Sequence, residues 1–284
     1  CWQPSDFEVK LHAAGKGNSR YAVQFPSALP LGKEPNDTVH LDWYPAQDAA
    51  GKITWAPAVV LVHESGSNMT VGKLLARAFC DQGLHAFLLH LPYYGERKGT
   101  ESRPVGKELL NALKQGIADA RRARDAVAVL PYVDGTRVCL QGTSLGGFVA
   151  ATTAGLDDGY QRVFLLLAGG DLYQVLTNGK NDAQKVRDAF LKTGISDEEL
   201  QQLLRTIEPL RLAHRVDRNR TWLFSGTMDN VVPLHNAELF AKQAQLSDGH
   251  HVKFWADHYT GIIYLPRIIP QMRESIFASP QPEP

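Results

Sequence analysis

Cysteine is scarce in this chain. Its 284 residues hold three, Cys1, Cys80 and Cys139, an odd count that gives no disulfide framework. Cys80 falls in a helical run and Cys139 in an apolar strand, so both read as small buried residues. Surplus charge is missing as well: 30 Lys plus Arg balance 30 Asp plus Glu, leaving no electrostatic footprint for nucleic acid or an anionic membrane. Long hydrophobic runs are absent. The longest, such as 58–62 and 163–168, have the length of buried strands and fall far short of the about 20 residues a spanning helix needs, so no transmembrane segment is expected. Nucleotide-binding glycine patterns are lacking too. Gly142, Gly146 and Gly147 make neither G-x-G-x-x-G nor a Walker-type loop, so no cofactor is implied. His63-Glu64 begins an H-E-x-x-H pattern, but Ser67 stands where the second histidine belongs, and no metal is expected. The first residue is Cys1, not Met. A bacterial lipoprotein cut at its cysteine and a merely trimmed chain end are both open readings, so the compartment, cytoplasmic or exported, stays open.

What is present is an alternation of short apolar runs with helical patterns. Residues 20–25 and 38–44 read as strands separated by a Pro/Gly/Asn-rich turn at 30–36. From residue 58 onward strands and helices take turns. Strands are expected at 58–63, 84–91, 137–141, 163–168, 221–225 and 251–255. Helices are expected at 71–82, 107–130, 148–154, 233–245 and 265–277, with Pro270 a candidate kink in the last. This order implies an α/β fold, a mainly parallel central sheet with helices on both faces, with the first two strands forming an antiparallel edge. Without repeat, linker or clear boundary, residues 1–284 read as one domain. Within it, 1–57 are N-terminal strands and turns, 171–218 a helical insertion or connector, and 279–284 a loose Pro-rich tail.

The strongest local signal is Gly142-Thr143-Ser144-Leu145-Gly146, followed by Gly147. It matches G-x-S-x-G where an apolar strand enters and a small-residue helix leaves, the context that a nucleophile elbow requires. Glycines two residues before and after the serine let neighbouring backbone approach. The following helix points its N-terminus at the hydroxyl and favours developing negative charge.

The runs 119–123, 134–138 and 142–147, Asp-Ala-Arg-Arg-Ala, Asp-Gly-Thr-Arg-Val and Gly-Thr-Ser-Leu-Gly-Gly, resemble α/β-hydrolases related to dienelactone hydrolases, acetyl xylan esterases and prolyl-oligopeptidase catalytic domains. The resemblance covers roughly residues 38–277. Dienelactone hydrolases use a cysteine nucleophile and this chain has Ser144, so it looks closer to the esterases. The resemblance implies the chain order Ser, then Asp, then His. Asp229, just past the strand at 221–225, is the expected acid, and Asn230-Val231-Val232-Pro233 resembles the loop that usually follows it. Asp171, after the preceding strand, is the main rival, whereas Asp257 adjoins the base itself. His258, between the last strand and the last helix, is the expected base. His250 and His251 lie at the opposite sheet edge and read as solvent-exposed loop residues. The oxyanion hole should use the N–H of Leu145 and, from the loop after the 58–63 strand, that of Ser65, with Glu64 the alternative. Glu64 departs from the His-Gly that family members often carry there. Tyr93 and Tyr94 belong at the mouth, either lining the substrate site or packing under a loop.

The implied activity is cleavage of a small-molecule carboxylic ester through an acyl-enzyme, without a cofactor. A peptidase or amidase of the prolyl-oligopeptidase type is the alternative, although the residues before 58 are too few for a gating domain of that type. A non-catalytic binding protein on the same fold is a third reading. The insertion carries few apolar positions (Val186, Phe190, Leu191, Leu200, Leu203 and Leu204). A small, open site that prefers short acyl groups is therefore expected.

Overall fold

The segment Ala56–Val62 is buried at every one of its seven positions. Side chains of a strand point alternately to the two faces, so both faces of the sheet must be covered there. In the computed structural model, which describes residues 5–13, 21–100 and 104–278, this segment lies within a nine-stranded sheet. Its strands are β1 (Lys10–Ala13), β2 (Tyr21–Pro26), β3 (Thr38–Tyr44), β4 (Ala56–Val62), β5 (His85–Leu89), β6 (Val133–Thr143), β7 (Val163–Leu166), β8 (Thr221–Gly226) and β9 (His251–Phe254). The helices are α1 (Thr70–Asp81), α2 (Gly106–Ala128), α3 (Leu145–Leu156), α4 (Leu172–Asn178), α5 (Asp182–Leu191), α6 (Asp197–Leu204), α7 (Leu234–Gln243) and α8 (Leu265–Phe277). Cys1, Arg20 and the tail 279–284 lie outside the described residues.

The strand order is β1-β2-β3-β5-β4-β6-β7-β8-β9. The first three strands and β5 pair antiparallel. From β5 through β4 and β6 to β9 every pairing is parallel. The progression changes direction between β4 and β6, and a parallel sheet opens a crevice at such a point, beyond the carboxyl ends of its strands. Val62 and Thr143 end these two strands, so the chain segments entering the crevice begin at His63 and Ser144.

Three elements depart from the sequence reading. The strand β1 carries no burial pattern, because all four of its residues are exposed at the sheet edge. The helix after the elbow starts at Leu145, three residues before the expected Phe148. At the end of the 171–218 stretch, expected to be helical, the chain makes two 3-10 turns, Pro209–Arg211 and Ala213–Arg215. Pro209 has no N–H to continue a helix. The Glu208 carboxylate is committed elsewhere, accepting the N–H groups of Asp171 (2.9 Å), Leu172 (2.7 Å) and Leu210 (2.9 Å). It thereby closes the base of the helical insertion, joining its last turn to its first. Pro270 stands inside α8, which runs unbroken across it.

One ionic contact ties the antiparallel edge to the parallel half. Arg97 meets Asp119 of α2 at 2.8 Å with both side chains essentially sealed from solvent, at 1% and 0% exposure. Asp119 also accepts from the Ser27 hydroxyl and the Ala28 N–H, while Arg97 donates to the carbonyls of Asn36 and His90. A buried ion pair holds when its remaining hydrogen-bonding capacity is filled in this way.

Candidate active site

Ser144 sits between β6 and α3 with φ 51° and ψ −114°, a region that a non-glycine residue enters only when its surroundings hold it there. The glycines around it are sterically required. A Cβ on Gly142 would lie 2.2 Å from the Gly146 carbonyl oxygen, and one on Gly146 would lie 2.0 Å from that of Val62. The elbow is therefore pressed against the end of β4. Leu145 is the first residue of α3, so its N–H has no acceptor within the helix.

His258 Nε2 stands 2.8 Å from Ser144 Oγ. Its Nδ1 stands 2.7 Å from Asp229 Oδ2. A carboxylate only accepts, so the ring proton lies on Nδ1 and Nε2 is left to accept from the serine hydroxyl. The other oxygen, Asp229 Oδ1, accepts the N–H groups of Val231 (2.8 Å) and Val232 (2.9 Å). This turn fixes the carboxylate in the loop after β8. The His258 and Asp229 side chains are only 7% and 2% exposed, so the contact operates with little screening.

The rivals are occupied elsewhere. Asp171 caps α4, with Oδ1 accepting the Gln174 N–H at 3.1 Å. Asp257 accepts the N–H groups of Tyr259 and Thr260 within its own loop. His250 and His251 are half-buried and not exposed loop residues. His250 stacks on Trp222 with ring centroids 4.0 Å apart, and His251 Nε2 lies 3.1 Å from Ser225 Oγ. Strand β9 folds against β8 and brings both rings onto it.

The loop after β4 explains its unusual Glu64. That carboxylate accepts the N–H groups of Val71 and Gly72, each at 3.0 Å, and so caps α1, whose own N-cap residue, Met69, offers no side-chain acceptor. His63 is fully buried. Its Nε2 accepts the Leu91 N–H, which leaves the proton on Nδ1 for the Glu64 carbonyl. Ser65 thus emerges from an anchored loop beside Ser144 and Leu145 at the wall of one cavity.

Tyr94 lines that cavity, its ring against His63 and its hydroxyl donating to the Ser65 carbonyl at 3.1 Å. Tyr93 does not. It is buried with φ 67°, and its N–H donates to Asn36 Oδ1. Of the two tyrosines, only Tyr94 reaches the site. The site is small, as the sequence suggests, but strongly apolar. The cavity measures about 180 Å³ and is walled by apolar side chains of α2 to α6, among them Leu113, Phe148, Val175, Val186, Phe190 and Leu204. Few apolar residues in the insertion suffice for this because helices α2 and α3 of the main body supply the facing wall.

Among the described residues, the one cluster with metal-ligand chemistry is His40, Asp42 and His90. His90 Nδ1 accepts the Glu96 N–H, so its proton lies on Nε2 and points at Asp42 Oδ2, 3.0 Å away. A ring in that state has no lone pair left for a cation. The cluster fits a hydrogen-bonded trio, in which the two histidines hold the Asp42 carboxyl well below the usual range against the opposing effect of burial.

Over residues 105–261, more than half of the chain, the sequence matches the model of the prolyl oligopeptidase family, Peptidase_S9. The chain belongs to that family. No curated protein matches it in sequence. Solved structures that resemble this prolyl oligopeptidase family member do so at low identity. Acetyl xylan esterase 1 from a Thermoanaerobacterium species is 17% identical with a TM-score of 0.67, over 97% of this chain and 89% of that one. An acetyl xylan esterase from a Paenibacillus species is 18% identical with a TM-score of 0.64, over 95% and 89%. A puromycin-hydrolyzing peptidase from Mycobacterium tuberculosis is 16% identical with a TM-score of 0.65, over 93% of this chain and 40% of that one. These likenesses establish the α/β-hydrolase fold, a mostly parallel sheet flanked by helices.

Proposed function

We propose that the protein is a carboxylic ester hydrolase that works through an acyl-enzyme on Ser144, with His258 as general base and Asp229 as its orienting acid. The observation that carries this reading is the continuous relay from Ser144 Oγ through His258 to Asp229, at 2.8 and 2.7 Å. As Oγ attacks the ester carbonyl, Nε2 takes its proton. The oxyanion that forms is held by the N–H of Leu145 and, from its position beside the elbow, that of Ser65. The imidazolium, stabilised by Asp229, gives the proton to the departing alcohol. Water then enters, loses a proton to Nε2 and attacks the acyl-enzyme, and Ser144 leaves with that proton. No step calls for a cofactor.

A fluorophosphonate probe should label Ser144. Ser144→Ala should abolish labelling and lower kcat on p-nitrophenyl esters by at least about 10³-fold without changing the fold. Near wild-type turnover in the folded variant refutes the reading. Cleavage of amides is the second reading, supported by the peptidase family to which the chain belongs. Matched p-nitroanilide and p-nitrophenyl substrates with one acyl group separate the two: an amidase hydrolyses the anilide at a rate comparable to the ester.

A further inference from the structure

The cavity beside Ser144 has a chemistry that the triad leaves unspecified. Its wall is apolar almost throughout, and the exceptions are few. They are Ser65 and Ser144 at the reacting centre, Tyr94, whose hydroxyl is bound to the Ser65 carbonyl, and Asp182. Asp182 is itself engaged, 3.0 Å from Lys185 Nζ and 3.3 Å from the Tyr259 hydroxyl. Away from the reacting centre, nothing in this wall would repay the desolvation of a sugar, a carboxylate or an ammonium.

Its place in the reaction is fixed by His258. The leaving alcohol must face Nε2 to receive its proton, so the acyl group lies on the other side of Oγ. His258 does not line the cavity, whereas Ser144, Leu145 and Ser65 do. The cavity is therefore on the acyl side. Its size then sets a length. A cavity of about 150 Å³ accommodates benzene, or about 25 Å³ per carbon, so a cavity of about 180 Å³ accommodates about seven carbons.

We propose, resting on the ester-hydrolase reading, that this cavity is an acyl pocket for straight chains of about six to eight carbons, which makes medium-chain carboxylic esters the substrate class. Its cover is held in place. The Lys180 N–H, just before α5, donates to the Asn230 carbonyl in the loop of the catalytic acid at 2.7 Å, and the Tyr259 hydroxyl beside His258 reaches α5 through Asp182. A chain much longer than eight carbons would outgrow the cavity and leave its far end in water.

The test is the chain-length dependence of kcat/KM for p-nitrophenyl esters from acetate through butyrate, hexanoate, octanoate and laurate to palmitate. Transfer of a methylene out of water is worth at most about fourfold. We expect kcat/KM to rise by about ten- to a hundredfold from acetate to octanoate and to fall again by laurate. Val186→Phe, which adds bulk to the α5 wall, should move the optimum to butyrate. Independently of turnover, octanoate should raise the melting temperature of Ser144→Ala, and acetate at the same concentration should not. An optimum at acetate, a rise continuing to palmitate, or equal melting shifts from both acids overturns the proposal. If Ser144→Ala retains turnover, or no ester is cleaved, the ester-hydrolase reading fails instead, and the melting comparison still decides what the pocket takes.

Discussion

The geometry around Asp229 makes one substitution unusually informative. In Asp229→Asn, the two N–H groups of Val231 and Val232, now directed at Oδ1, still need an acceptor, because both residues are buried. The amide must keep its single oxygen on that side. Its NH₂ group then occupies the place of Oδ2, facing His258 Nδ1 across what is now a 2.7 Å hydrogen bond. An amide NH₂ only donates, so Nδ1 must become the acceptor and the ring proton moves to Nε2. In that tautomer Nε2 cannot take the Ser144 proton. The expected loss is about 10³- to 10⁴-fold in kcat, or about 4–5.5 kcal/mol on the barrier, with KM little changed. The turn survives, so stability should fall by only about 1–2 kcal/mol, from the lost charge assistance of its hydrogen bonds. The assay is steady-state hydrolysis of a p-nitrophenyl ester beside a thermal melt, with Asp171→Asn as the control. An Asn can cap α4 as the Asp does, so the control should stay within about twofold of wild type. Activity of Asp229→Asn within about tenfold of wild type, or a larger loss in the control, refutes the assignment.

Two further outcomes follow from other contacts. Glu64→Ala strips two N–H groups of α1 of their acceptor and should lower stability by about 1–2 kcal/mol, with kcat falling as the Ser65 loop loosens; an unchanged melt and unchanged kcat count against the cap. Burial, reinforced by the Lys253 ammonium, holds His251 down to about 4 in the folded chain, so between about pH 6.5 and that value the unfolded chain binds a proton that the folded chain does not, and stability is lost as pH falls through this window. His251→Gln should therefore lessen the drop in melting temperature between pH 7 and pH 4, by the equivalent of about 1–3 kcal/mol; an identical drop in both proteins would show that His251 does not contribute.

The parallel half of the fold is legible in the sequence because each buried strand is a continuous apolar run, and because glycine spacing at an elbow has few other uses. Ser144 and Asp229 follow two such strands, β6 and β8, whereas His258 follows the short, half-buried β9 and is brought forward by chain order alone. Other features leave no local trace. The edge strand β1 has no buried face and hence no periodicity. The role of Glu64 depends on the turn that brings α1 back over it, and the embedding of His251 depends on its pairing with Leu223, which carries its ring to the Ser225 hydroxyl. The division between Tyr93 and Tyr94 rests on a single positive φ. The cavity is the furthest from sequence, since five helices that begin as much as 91 positions apart each contribute between one and four side chains, and only the packed sheet makes them neighbours.

The clasp made by Glu208 bears on how this enzyme scaffold can be altered. Because one half-buried carboxylate joins the turn at Leu210 to the start of α4 at Asp171 and Leu172, the two ends of the insertion are held at a constant separation whatever the chain does between them. The insertion is thus closed at its base like a ring on a stem. Replacing its interior exacts little additional loop-closure entropy, which grows only with the logarithm of length. The stretch between α4 and Glu208 is a natural cassette: exchanging α5 and α6 for shorter or bulkier helices would redraw the pocket wall while the elbow, the acid loop and the sheet keep their frame.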